Sequence, residues 1–113
     1  MKLKIEERYE AIILEIKGNM MGGAEAGEFS DTLKKLLADG KKNIVVDLAD
    51  VKFMNSSGLG MLISGMTSVK NAEGLFKLAN ITEKIASLLM VTKLITIFET
   101  FDSVDEALKS FTK

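Results

Sequence analysis

The run Asn43-Ile44-Val45-Val46-Asp47-Leu48-Ala49-Asp50-Val51-Lys52-Phe53-Met54-Asn55-Ser56-Ser57-Gly58-Leu59-Gly60 decides how the rest of the chain is read. Ile44, Val45 and Val46 are apolar without interruption, the pattern of a strand covered on both faces, so Asn43 to Leu48 is predicted as part of a parallel sheet. A loop from Ala49 to Asn55 leads to a helix expected from about Ser57 to Asn71. Its apolar positions, Leu59, Leu62, Ile63, Met66 and Val69, share one helical face. With Ser56 as the capping residue, its hydroxyl would accept from the amide of Gly58 or Leu59. Gly58 and Gly60 leave the first turns without side-chain bulk, either for a partner's approach or for tight packing inside the fold.

Upstream, Leu3 to Arg8 alternates apolar and charged residues, and Ala11 to Lys17 repeats the strand signal after a reversal at Tyr9-Glu10. So short a link makes the two an antiparallel hairpin. The loop Gly18 to Gly23 carries Met20 and Met21, which either contribute to a partner surface or tuck under the first helix. From Ala24 to Ala38, Ala26, Phe29, Leu33, Leu36 and Leu37 trace a helix face that Asp39-Gly40 closes. Downstream, Leu75 to Ala79 is a buried strand. Asn80 with Glu83 is read as a capping box for a helix burying Ile85, Leu88 and Leu89. Leu94 to Phe98 is read as the last strand. Ser103 with Glu106 starts a terminal helix that buries Val104, Leu108 and Phe111. The order β-β-α-β-α-β-α-β-α predicts a small α/β domain, residues 1–113, with a mostly parallel sheet, an N-terminal antiparallel hairpin and about four helices.

Composition removes whole classes of activity. The 113 residues are 47% hydrophobic and 27% charged, with a net charge of −1, so the chain suits folding and offers no positive surplus for nucleic acid. Cysteine and histidine are absent, which removes thiolate metal sites, cysteine nucleophiles and every serine–histidine triad. No Gly-x4-Gly-Lys-Ser/Thr loop is present, so no enzyme activity, metal or cofactor is expected. Asp47 and Asp50 are too few for a metal site, and Asp47 is expected to satisfy loop amides. The pattern of a receiver domain fails, because Glu6-Glu7 falls in the hairpin and not after a first parallel strand. No apolar run is long enough to span a bilayer, and the charges between Lys2 and Glu10 interrupt any signal-peptide core. A cytoplasmic monomer, without membrane insertion, is expected.

The stretch Asp47 to Gly60 resembles the signature of the STAS domain. In particular it is similar to that of the bacterial anti-sigma factor antagonists, in which an apolar strand and Asp-Leu precede Phe-Met-Asp-Ser-Ser-Gly-Leu-Gly. Here these are Val45-Val46-Asp47-Leu48 and Phe53-Met54-Asn55-Ser56-Ser57-Gly58-Leu59-Gly60. The resemblance implies a single STAS domain that works as a phospho-switch and performs no catalysis. Unphosphorylated, such a protein is bound by an anti-sigma factor that is also a serine kinase of the GHKL type, and a sigma factor is freed. Phosphorylation of the first serine, Ser56 here, with Ser57 the secondary candidate, ends the complex, and a serine phosphatase reverses it. The implied partner surface comprises Asn19, Met20, Met21, Met54, Asn55, Ser56, Ser57, Gly58, Leu59 and Gly60.

Two positions depart from the pattern. Asn55 replaces the usual Asp, and Gly18-Asn19-Met20-Met21-Gly22-Gly23 replaces an acidic Gly-Glu-Leu/Ile-Asp loop. They favour an alternative from another class: a non-switching STAS adaptor subunit of a larger assembly, such as a lipid transporter or a stress-signalling complex.

Overall fold

In the computed structural model, which describes residues 1–112, strands β1 (Lys2–Arg8) and β2 (Ala11–Lys17) form the hairpin, and α1 (Ala24–Ala38) follows. Next come β3 (Asn43–Asp50), α2 (Ser56–Asn71), β4 (Leu75–Ala79), α3 (Glu83–Val91), β5 (Glu99–Phe101) and α4 (Val104–Lys109). Tyr9 and Glu10 turn the hairpin with φ of 53° and 65°, the left-handed pair that a two-residue link needs to match strand twist.

The five strands lie in sequence order, β1 antiparallel to β2 and every later neighbour parallel. Each parallel crossover moves one strand in the same direction. A right-handed crossover then places its helix on the same face each time. Accordingly α1, α2 and α3 cover one face, where Leu14, Ile16, Ile44, Val46, Leu48 and Leu78 meet Phe29, Leu33, Leu62 and Leu89. Full burial of each such side chain contributes about 1.5–3 kcal/mol. Helix α4 and the turn that follows it cover the other face, packing Ala107 and Leu108 on Ile13, Val45 and Ala79 with Phe111 beside them. Lys77 is buried on that face, its ammonium 2.5 Å from the Ser110 hydroxyl, 3.4 Å from Glu99 and 4.5 Å from the Phe111 ring centre.

Several boundaries differ from the sequence expectation, among them the end of β3, at Asp50 and not Leu48. The last strand is Glu99–Phe101, not Leu94 to Phe98. Leu94 and Ile95 instead donate their amides to the Leu89 carbonyl in the turn closing α3, and Phe98 packs on Phe76 with ring centres 6.4 Å apart. The apolar run is core filling for a turn, which strand periodicity cannot distinguish. Helix α3 is capped by Thr82, whose hydroxyl accepts from Ile85 N–H at 3.4 Å, and not by Asn80. Asn80, at φ 58°, donates its amide to Asp47 instead. Helix α2 begins one residue early, with Asn55 as its cap.

Candidate functional site

Strands β2 and β3 run side by side, shift register between Glu15 and Lys17, and pair a last time at Lys17 and Asp50, where both strands end. They meet again beyond the strand ends. Met20 N–H donates to the Phe53 carbonyl at 3.1 Å, Asn55 N–H donates to the Met20 carbonyl at 3.3 Å, and Met20 pairs with Met54 in one parallel bridge. The loop before α1 is thereby fastened to the segment before α2.

Asn55 is the junction. Its backbone is extended, its side-chain oxygen accepts from Gly58 N–H at 2.8 Å, and its side-chain NH2 donates to the Met21 carbonyl at 3.0 Å. One residue therefore caps α2 and holds the Met20–Met21 backbone. Ser56 is not the cap, contrary to expectation, because Asn55 takes the Gly58 amide. This leaves Ser56 exposed at the first helical position, with Ser57 exposed beside it. Glu25, on α1, completes the frame. The amino group of Met1, 2.8 Å away, and the Met21 backbone N–H hold its carboxyl below the usual carboxylate range.

The predicted residues divide into two sets. Asn19, Met21, Ser56, Ser57 and Gly60 are exposed, and Asn55 is half-buried between them. Met20, Met54, Gly58 and Leu59 are buried, so they build the surface from below and present little of it. For Met20 this decides between the two readings: beside its bridge to Met54 the side chain lies wholly inside. For Gly58 the reason is steric. A Cβ there would stand 2.0 Å from the Met20 carbonyl oxygen, so the missing side chain admits the chain's own loop and not a partner. Gly60, by contrast, faces open space. It lies with Ser57, Ser64 and Ser68 along a shallow groove between α1 and α2.

Sequence reasoning missed three contributors. Gly22, at φ 85°, lies so close to Ser57 that a Cβ would come within 2.5 Å of the serine Cβ. Phe53 is half exposed and, with Lys84, Leu88 and Val91, lines an apolar recess beside α3. Glu25 lay in a first helical turn with nothing to mark its second contact. The Gly22-Gly23 pair was the one available signal, since adjacent glycines mark backbone of unusual φ. Asp47 accepts from Ala49 N–H at 3.1 Å and Asn80 NH2 at 3.0 Å, so it is occupied in tying the ends of β3 and β4 together.

The family model described as the STAS domain matches residues 2–107. The chain belongs to the STAS domain family. A Thermotoga neapolitana protein named among the anti-sigma factor antagonists is 31% identical over 75 residues, 66% of this chain and 66% of its own length. The match thus spans just under two thirds of that relative. A Thermotoga maritima crystal structure superposes with a TM-score of 0.89 at 23% identity, covering 98% of this chain and 95% of the other. The anti-sigma factor antagonist SpoIIAA, unphosphorylated, superposes at 0.74 with 15% identity, covering 98% and 97%. The phosphorylated Bacillus form superposes at 0.75 with 16% identity, covering 97% and 99%. At these identities the STAS structures speak for the fold. None of the described helices is long and apolar enough to cross a membrane.

Proposed function

We propose that this STAS protein is an anti-sigma factor antagonist switched at Ser56. Unphosphorylated, it is bound by an anti-sigma factor that is also a serine kinase of the GHKL type, and the sigma factor is released. The kinase, which holds the ATP and magnesium, transfers the γ-phosphoryl group to the Ser56 oxygen as the hydroxyl proton is lost. A serine phosphatase hydrolyses the ester and resets the switch.

The observation that carries this reading is that Asn55, and not Ser56, caps α2, leaving an exposed hydroxyl at the positive end of a helix. The first turn of α2 contains no acidic residue, whereas the first turns of α1, α3 and α4 contain Glu25, Glu83, and Asp105 with Glu106. A phosphoserine brings about −1.5 to −2 charges, which the helix end tolerates. Across a docked interface the same charge costs several kcal/mol wherever it meets like charge or an unpaired recess. SpoIIAA supports the first half: its two forms overlay on this chain equally well, at 0.74 and 0.75. The reading therefore expects affinity to change and the fold to stay.

The test is phosphorylation by the co-expressed kinase with ATP, followed by mass mapping and binding. A single phosphate on Ser56, absent in Ser56→Ala, together with loss of the complex is the expected result. Modification elsewhere, or a complex indifferent to it, contradicts the proposal. The neutral Met21 edge favours one other reading, a permanent adaptor subunit. In that case Ser56→Ala behaves as wild type in cells and the protein purifies unmodified within its assembly.

A further inference from the structure

Of the residues around Ser56, Asn55 alone uses both ends of its side chain. The oxygen accepts from Gly58 N–H on α2, and the NH2 donates to the Met21 carbonyl on the loop before α1. The two functions need different chemistry. Any short acceptor can cap the helix: Asp, Ser and Asn serve nearly equally. Only a donor can meet the Met21 carbonyl, and an ionised Asp has none. A carboxylate at position 55 would keep the cap and turn an oxygen toward the carbonyl oxygen. Glu25, on α1, lies beside the same residue, and the Met21 N–H favours its ionised form. Met21 is also the exposed methionine of the pair, 45% accessible where Met20 is wholly buried.

We propose that Asn55 is a positioning residue that fixes partner specificity. Its amide locks the Met21 segment against the start of α2, so that the Met21 thioether and the Ser56 hydroxyl are presented as one surface. The partner that fits is a protein with an apolar recess next to the groove that takes Ser56. A basic recess built for an acidic loop is a poor match, because residues 18–23 carry no charge. A methionine suits such a recess, being flexible and polarisable. This inference rests on the switch reading for its partner, but its structural half can be tested on the isolated chain.

Asn55→Asp and Asn55→Ser separate the two roles, since both retain a capping oxygen, while the Asp carboxylate has no donor at neutral pH and the Ser hydroxyl, one bond shorter than the amide nitrogen, stops short of the Met21 carbonyl. Amide hydrogen exchange at Met20 and Asn55, whose N–H groups fasten the two segments, is the readout. Both variants should exchange about tenfold faster there at pH 7, the equivalent of one net hydrogen bond. The interior of α2 should keep wild-type protection. Acid then gives a signature that a merely structural role cannot mimic. A protonated Asp regains an O–H donor, so Asn55→Asp should recover protection as the pH falls through its carboxyl range, and Asn55→Ser should not.

The titratable groups facing this loop are Glu25 on α1 and the Met1 amino group paired with it. Because the Glu25 carboxyl is lowered, its contribution holds above the ordinary carboxylate range and fades only as pH falls through the lowered value. Wild type, measured in parallel, carries the same groups and supplies the correction. Unchanged exchange in Asn55→Asp at pH 7, or no recovery in acid, overturns the clamp whether or not Ser56 is ever phosphorylated. With the kinase, Asn55→Ser and Met21→Ala should each raise KM about tenfold with kcat within about twofold, and the double variant should add little more. A KM unmoved in both single variants overturns the specificity assignment while leaving the clamp and the Ser56 switch standing.

Discussion

The starts of α2 and α4 solve the same problem with opposite chemistry. At α4, Ser103 accepts from Glu106 N–H at 3.0 Å, the Glu106 carboxylate reaches back to Asp102 N–H at 3.3 Å, and Asp105 adds a second negative charge. The helix end is fully answered by groups of its own. At α2 a neutral amide caps the first turn, the next two residues are exposed serines, and no acid follows. Comparing the two shows which end is finished within the chain and which end leaves room for a charge to arrive. The same contrast appears in packing, since α2 starts against the backbone of another loop, whereas the first turn of α4 meets its neighbour through side chains, Asp105 lying 3.3 Å from Arg8.

That packing gives the largest effect. Gly58→Ala forces a methyl group onto the Met20 carbonyl and should destabilise by about 1–3 kcal/mol, whereas Gly60→Ala, facing open space, should stabilise by about 0.5–1 kcal/mol. Paired thermal melts check it; two substitutions of the same sign would break the claim that α2 is seated on the loop. Next come the caps. Asn55→Ala should cost about 1–2 kcal/mol and Ser103→Ala about 1 kcal/mol, because only the first also releases a second segment. Denaturant unfolding measures both, and equal costs would say that the Met21 contact contributes nothing. The smallest effects concern charge. Ser56→Asp should leave stability unchanged or raise it by about 0.3–1 kcal/mol, while Asp105→Asn, which also removes an exposed ion pair with Arg8, should lower it by a similar amount. Both differences should shrink in high salt. A Ser56→Asp protein that melts well below wild type would mean the α2 end is not prepared for an anion.

Much of this contrast was legible in the sequence, and the rest failed for identifiable reasons. The hairpin, α1 and the β3–α2 unit follow from period-2 alternation, period-3.6 spacing and one unbroken apolar run, all local signals. The capping box at Ser103 was equally local. For Met20 the local sequence leaves exposure and burial both open, because its pairing partner Met54 is 34 residues away, outside any window around Met20. The last strand was misplaced because Leu94 to Phe98 is apolar for the sake of the core beneath a turn. At the site, Ser56 and Asn55 are equivalent as caps in any propensity argument. What separates them is the Met21 carbonyl, which demands a donor and so selects the amide. The departure from the usual Asp is thus matched by the loop it holds.

The central claim is that a negative group on Ser56 changes what the protein binds without changing how it folds. Calorimetric titration of the kinase with unmodified and Ser56-phosphorylated protein, with melting curves of both, tests it most directly. Affinity should weaken by about a hundredfold or more on phosphorylation, with the melting temperature held or raised by a few degrees. Equal affinities, or a phosphorylated protein that loses its cooperative melt, would contradict it.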